Sequence, residues 1–444
     1  MLAKLPLATE QQLEIAINAA LSGFKTLSNW SAGKRSSNLH ALAALIRRDQ
    51  DSLAELIVHE AGKPISYAKN EIARCITTVE TAASETLRFG GEIVPIDFAA
   101  GEGKSAFTKR FPIGPIACIT PFNFPLNLVL HKVAPALAVG CTVIIKPAPQ
   151  APLSALALAS LISELDYPKG AVNVLACDIP TAEKLVTNPS IAMLSFTGSE
   201  KVGWHLKNKV GRKKVTLELG GNAAVIIDES AELNKAAKAV AAGAYIYSGQ
   251  ICISTQRIFV VEKVYEQFLT LLLTEIQELK SGDPSDPKVL VGPIIDVTHL
   301  NRIETWVKDA ISAGAKVLIG GEILSKEHNI FEPTLLTDTT ADMKVASEEV
   351  FGPVAVIEKV RDFNEAIDRT NDSDFGLQAG VFTNSFEHVK AAHDKLEVGG
   401  IMINNIPGFR VDSMPYGGVK GSGYGREGIK YAMEEMTEPR LLVY

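Results

Sequence analysis

Ile113-Gly-Pro-Ile-Ala-Cys-Ile-Thr120, Cys141-Thr-Val-Ile-Ile-Lys146, Val172-Asn-Val-Leu175 and Met193-Leu-Ser-Phe196 are four short apolar runs in one stretch of chain. Helical patterns lie between them, among them Leu153–Leu165 and Thr181–Leu185. Strand-like runs alternating with helices are the pattern of a parallel sheet covered by its crossover helices. A second alternation follows Gly220-Gly221: strand Ala223–Ile227, helix Leu233–Tyr247, strand Arg257–Val261, helix Val264–Lys280, then strands Lys316–Ile319, Val354–Lys359 and Ala379–Phe382. Two α/β domains joined near Gly220 are the economical reading. Upstream, Thr9–Leu27 reads as a helix opened by a capping box of Thr9 and Gln12, and helical patterns continue through Leu39–Ile57 and Lys69–Leu87. Gly90–Phe111, with Gly90-Gly91, Pro95 and Gly101-Glu-Gly103, reads as a hairpin excursion.

The chain has 444 residues, enough at roughly 100–200 per domain for two or three domains without disulfide or metal staples. Its 44 Lys and Arg against 51 Asp and Glu leave a net charge of −7, which disfavours a nucleic-acid partner. No apolar run approaches the ~18–20 residues of a membrane span; Leu153–Ile162 contains two serines and Glu164 follows it. The start, Met1-Leu-Ala-Lys-Leu-Pro, lacks the apolar core of a signal peptide, so the expectation is a cytoplasmic protein without a membrane partner. The five cysteines are scattered, with no CxxC pair, and predict neither a disulfide framework nor a metal site.

Five local features carry chemistry, each beside a plainer alternative. Cys252 sits in Ser248-Gly-Gln-Ile-Cys-Ile-Ser-Thr, a polar turn entering an apolar stretch, and is either a reactive thiol or a small buried hydrophobe. Glu218, in Val215-Thr-Leu-Glu-Leu-Gly-Gly, is a usable general base if its strand is central and desolvated, and a solvated residue if the strand is an edge. Asn123, between two prolines in Thr120-Pro-Phe-Asn-Phe-Pro125, is a rigid amide donor for an oxyanion or the cap of its own loop. Ser195-Phe-Thr-Gly-Ser joins a strand to a helical pattern, giving either a phosphate cradle around Gly198 and Ser199 or an ordinary turn capped by Ser199. Lys146 ends its strand at the sheet's carboxyl edge and either reaches a ribose or phosphate there or is a solvated strand-end lysine. Gly421-Ser-Gly-Tyr-Gly425 has dinucleotide-loop glycines without a preceding strand and is rejected for that role.

Taken together, Pro121-Phe-Asn-Phe-Pro125, Lys146-Pro-Ala148, Phe196-Thr-Gly-Ser199, Leu217-Glu-Leu-Gly-Gly221, Gly249-Gln-Ile-Cys252 and Glu348-Glu-Val-Phe-Gly-Pro353 resemble the aldehyde dehydrogenase superfamily, in its order and over nearly the whole chain. The tail Phe409-Arg-Val-Asp-Ser-Met-Pro-Tyr-Gly-Gly-Val-Lys420, with Asn127 and His131, is most similar to the branch of lactaldehyde dehydrogenases and enzymes of small anionic aldehydes. The resemblance implies oxidation of an aldehyde to an acid, with Cys252 as nucleophile, Asn123 as oxyanion donor and Glu218 activating water. A coenzyme A-acylating or phosphorylating relative and a non-catalytic cofactor binder are the alternatives; the acylating relatives generally lack this glutamate. NAD or NADP is implied as cofactor, held by Thr120, Pro121, Phe122, Lys146, Ala148, Gly198, Ser199, Glu349 and Phe351. Pro149 stands where strict NAD enzymes of the family often place a glutamate, which leaves NADP open.

For the substrate, the resemblance puts Asn127 and His131 in the channel and Arg410 in the loop closing it, where a guanidinium either receives an anionic aldehyde or pairs with Asp412 or a neighbouring carboxylate. It implies a Rossmann-type cofactor domain (1–90 and 113–220), an α/β catalytic domain (221–425) and a small β oligomerisation flap (91–112 and 426–444) that makes a homodimer or homotetramer. Family members commonly run some tens of residues longer, and Leu5-Pro-Leu-Ala-Thr-Glu resembles a point inside a typical chain, so an upstream strand segment is expected to be missing. The first test is direct: Cys252→Ala should abolish NAD(P)-dependent turnover of every aldehyde, and undiminished turnover would remove the covalent mechanism.

Overall fold

The structure is a computed structural model and describes residues 3–444, so the first two residues of the 1–90 segment lie outside it. Four helices open the chain: Glu10–Leu27, Ala32–Arg48, Gln50–Ala61 and Ile65–Arg88. The first carries the expected box, with the Thr9 side chain accepting from the Gln12 N–H and the Gln12 side chain accepting from the Thr9 N–H. The helical pattern read across Leu39–Ile57 is divided at Asp49, which is non-helical and whose carboxylate is taken by Arg48.

Five parallel strands then form a sheet in the spatial order Lys214–Glu218, Met193–Thr197, Ile116–Ile119, Val143–Lys146, Val172–Val174. The chain winds outward from Ile116–Ile119 in one direction and then returns to build the other half. The order reverses between Ile116–Ile119 and Met193–Thr197, and ligands of open α/β sheets sit at the carboxyl ends of such a switch point. Thr120, Lys146, Gly198 and Glu218 all lie at that edge, because each ends or follows one of these strands. A sixth strand, Gly423–Tyr424, pairs antiparallel with Lys214–Glu218, Gly423 opposite Glu218. The Gly421–Gly425 run is therefore an edge strand of this sheet, and it makes the Glu218 strand an interior one.

The second sheet has seven strands, with Val354–Val360, Arg257–Val261, Ala224–Ile227 and Gln378–Phe382 at its centre in parallel register. A third, antiparallel sheet joins Ile93–Val94, Ala106–Pro112 and Thr437–Val443, the last two paired from Ala106 opposite Val443 to Pro112 opposite Thr437. Its Ile93, Phe98, Leu441, Leu442 and Tyr444 side chains are exposed.

Asn127–Val139, packed between the first sheet and the helices Ala32–Arg48, Ile65–Arg88 and Ile429–Glu435, is a helix whose every residue is buried and which contains Pro135. Helical periodicity is invisible there, since a helix packed on all sides has no polar face to mark the turn. At the other end of the sheet, Gly170 (φ +83°) precedes Val172–Val174, and a Cβ there would lie 2.1 Å from the Ala19 carbonyl of the first helix. Left-handed strain and overpacking against backbone should together make Gly170→Ala cost about 2–3 kcal/mol, read as a lowered urea midpoint with unchanged slope.

Candidate active site

One cavity of about 730 Å³ lies against the carboxyl edge of the first sheet and is closed by segments of the second. Cys252, Glu218 and Asn123 line it, as do Thr120, Pro121, Phe122, Lys146, Ala148, Gly198, Ser199, Glu349, Phe351, Asn127, His131 and Arg410. Residues up to 290 positions apart in sequence thus share one wall. Among the described residues, no cluster of His, Cys, Asp and Glu is arranged to hold a metal ion.

Cys252 follows a 3₁₀ turn, Ile246–Gly249, and its Sγ is 3.4 Å from the Tyr416 hydroxyl. Burial pushes the thiol up to about 11, against the Tyr416 hydrogen bond, which favours the thiolate; Glu349 and Glu218 raise it further and Arg410 lowers it. The Asn123 amide donates to the Gln250 carbonyl at 3.0 Å, and its oxygen accepts from the Phe124 N–H. An amide nitrogen has two hydrogens, so one N–H remains for a ligand. Asn123 thus orders its own loop and keeps a donor hydrogen beyond the one given to Gln250.

Glu218 is buried, and neither carboxylate oxygen has a hydrogen-bond partner among the described residues. Desolvation, with the neighbouring Glu427 charge, holds its carboxyl well above the usual range, opposed by Arg410, Lys132 and Arg426. Glu427 goes the other way. Burial alone would raise it, but Lys132 at 2.8 Å, His131 and Arg410 keep it ionised to far lower pH. Two buried carboxylates are thereby split into one permanent anion and one that takes up a proton easily.

Substrate-side residues form a second cluster. Asn127 and His131 lie one turn apart on the buried helix, with the Asn127 amide nitrogen 3.2 Å from His131 Nε2. His131 Nε2 is 2.8 Å from Asp412, which also receives Arg74 at 3.0 Å. Arg410 does not pair with Asp412. It reaches Glu427 only at 3.5 Å, stacks over the Tyr416 ring with its guanidinium carbon 3.6 Å from the centroid, and leaves Nε without a partner among the described residues.

The remaining wall suits a dinucleotide. Gly198 and Ser199 precede the helix Glu200–Lys209, and the Ser199 hydroxyl makes no capping bond, so both its side chain and the helix N-terminus are available to a pyrophosphate. Thr120 and Thr197 hydroxyls are buried without partners. Lys146 is half-buried, with no carboxylate paired to it, and Pro149 and Gln150 line the cavity beside it. Glu349 accepts from the Gly221 N–H at 3.1 Å, and a Cβ on Gly220 would come 2.2 Å from its carboxylate. Burial pushes Glu349 up to about 7, with the Gly221 hydrogen bond and Arg302 lowering it. These groups fit a nicotinamide dinucleotide.

Sequence reasoning missed Tyr416, Glu427, Asp412 as the partner of His131, Arg74 and Lys132. Nothing in their own segments marks these contacts, and only the fold places them against one another.

The chain matches the aldehyde dehydrogenase family over residues 1–442. It is 42% identical to a 3-sulfolactaldehyde dehydrogenase of Priestia aryabhattai over 99% of this chain and 92% of the relative. Among solved structures, aldehyde dehydrogenase 21 of Physcomitrella patens, in complex with the reaction product succinate, superposes with a TM-score of 0.96 at 38% identity over 100% of this chain and 92% of that one. A glyceraldehyde-3-phosphate dehydrogenase of Methanocaldococcus jannaschii complexed with NADP superposes at 0.95 and 37% identity, over 100% and 96%. The chain belongs to the aldehyde dehydrogenase family, as the six sequence motifs implied. It is an NAD(P)-dependent oxidoreductase that converts an aldehyde to the carboxylic acid.

The Cys252–Tyr416 contact makes a pH prediction. In the cofactor-free protein, alkylation of Cys252 should be slow at neutrality and rise with pH toward about 11. Removing the hydroxyl withdraws a bond that favours the thiolate, so Tyr416→Phe should move the rate–pH curve to higher pH; an unmoved curve refutes the assignment.

Proposed function

We propose that the protein oxidises a short aldehyde bearing an anionic group at its far end, with Cys252 as nucleophile, Asn123 as oxyanion donor and Glu218 as base. The observation that carries the substrate class is Arg410: a buried guanidinium with an unpartnered Nε, one phenol ring away from the Cys252 sulfur. A desolvated guanidinium with free N–H donors is a strong receptor for carboxylate, sulfonate or phosphate oxygens. Arg74 on the same cavity wall supports this reading. So do the relatives, one named for a sulfonated aldehyde, one holding succinate and one acting on a phosphorylated aldehyde. Lactaldehyde and glycolaldehyde, polar but uncharged, form the second reading, favoured by Asn127 and His131.

Glu218 takes the Cys252 proton as the sulfur adds to the carbonyl carbon, and the free Asn123 N–H stabilises the resulting oxyanion. The nicotinamide, when bound, supplies the hydride acceptor that turns this adduct into a thioester. Glu218 passes that proton to solvent and, ionised again, draws a proton from water; hydroxide adds to the thioester carbon, the C–S bond breaks with the Cys252 thiolate as leaving group, and the acid leaves. An unpartnered carboxylate with a raised pKa suits this work, since it holds a proton more strongly than an ordinary carboxylate does. It also favours hydrolysis over transfer to coenzyme A or phosphate.

Lys146 would hold the adenosine ribose, Gly198 and Ser199 the pyrophosphate, and Glu349 with Phe351 the nicotinamide ribose and ring, with Thr120, Pro121, Phe122 and Ala148 completing the wall. No carboxylate stands beside Lys146 to repel a 2′-phosphate, so NADP is accommodated along with NAD. The first sheet and its helices form the cofactor domain and the second sheet the catalytic domain. The exposed apolar strand ends of the flap serve self-association into a dimer or tetramer. Among the described residues no helix is long and apolar enough to cross a membrane. Five free thiols suit the cytoplasm.

Steady-state kinetics with 3-sulfolactaldehyde, succinic semialdehyde, lactaldehyde and hexanal, each with NAD+ and NADP+, test this. The charged aldehydes should have the highest kcat/KM. Arg410→Met should raise their KM by about 10–100-fold while changing that of hexanal little. A preference for hexanal overturns the anionic-substrate reading.

A further inference from the structure

Lys63 and Glu71 are a fully buried ion pair that does not line the cavity. Isolated charges are expensive in such a place, and a buried pair gives little net stability, so its contacts say more about its purpose than its burial does. Among the described residues, the pair's further hydrogen bonds and cation–ring contacts end on one of two segments. Glu71 Oε1 accepts from the Leu126 and Asn127 N–H groups, at 3.1 and 3.0 Å, at the end of the loop that carries Asn123. Lys63 Nζ sits 3.5 Å over the ring of Phe124, the neighbour of Asn123, and 4.7 Å from the ring of Tyr247. Tyr247 begins a run of three left-handed residues, Tyr247, Ser248 and Gly249, with φ of 52°, 55° and 65°. That run turns the chain into Gln250 and Cys252. The Tyr247 hydroxyl is tied back to the Ala61 carbonyl, two residues before Lys63.

We propose that the Lys63–Glu71 pair is a positioning device that sets the Asn123 amide against the Cys252 sulfur. Resting on the oxyanion role given to Asn123 above, the inference adds a cause for its placement. The carboxylate pins the exit of one loop by two backbone N–H bonds, and the ammonium presses an aromatic ring from each loop against a single cation. The Asn123–Gln250 hydrogen bond closes the arrangement from the cavity side. Removing the charge releases both loops together, and misplacement by about 1 Å at such a site costs about 100-fold in rate.

A double-mutant cycle with Glu71→Gln and Asn123→Ala tests this. Glu71→Gln should lower kcat/KM about 100-fold, with the dissociation constant for NADPH, read by fluorescence, within threefold of the parent. In the Asn123→Ala background the same change should cost less than threefold, because the group it positions is gone. If Glu71→Gln does not fold, the volume-matched Lys63→Met/Glu71→Leu variant removes both charges at once and replaces it in the cycle. Losses that add in full overturn the positioning role and leave Asn123 standing, as does a folded double variant with kcat/KM within threefold of the parent. If Asn123→Ala alone changes kcat/KM less than threefold, the oxyanion assignment itself falls, and the inference with it.

Discussion

A hydrogen bond from the Asn123 amide to the Gln250 carbonyl at 3.0 Å joins the loop that carries Asn123 to the turn that leads into Cys252. Asn123 belongs to a loop leaving the first sheet, and Gln250 to a turn ahead of a strand of the second. Neither loop has regular structure of its own, so their separation depends on what clamps them. Behind the bond stand the Lys63–Glu71 pair and the Gln250 side chain, which donates to the Pro293 carbonyl and accepts from the Ile295 N–H. A site assembled from two sheets needs such fixings, because proximity contributes to rate only while the reacting groups stay in register.

Around that junction the protein buries an unusual amount of charge and divides it into separate tasks. Lys132, Glu427, His131, Asp412 and Arg74 are linked side chain to side chain, and every link but Arg74 is buried. Arg410 and Glu218 stand at the margin of this network with atoms left unpartnered. Arg74, His131 and Glu427 reach the cavity as paired groups, while Arg410 and Glu218 bring polar atoms without partners among the described residues to the same wall. Unmet hydrogen-bonding capacity in a dry site is costly to the resting protein, and a substrate anion or a proton relieves it.

Much of the architecture was legible from period and punctuation. The runs at 116–119, 143–146 and 193–197 were recognisable because strands buried on both faces are continuously apolar, and the Thr9–Gln12 box marked a helix start by a reciprocal bond that is local. The helix Asn127–Val139 escaped because it has no wet face. The division at Asp49 escaped because the apolar pattern continues across it. For the site, Cys252, Glu218 and Asn123 stood out as chemically capable residues in turns framed by glycine or proline, whereas Tyr416 and Glu427, although they too have glycine or proline beside them, gain their roles only from partners far away in sequence.

By itself the sequence determined the family, the alternation of strands and helices in the first sheet and the residue types available for chemistry, since these depend on neighbours along the chain and on motifs with fixed spacing. Only the tertiary structure decided whether the Glu218 strand was central, which carboxylate of the pair stays charged, and that Arg410 turns to Tyr416 instead of Asp412. Those outcomes depend on desolvation and on Coulombic neighbours hundreds of positions away, and both come into being only when the chain has packed.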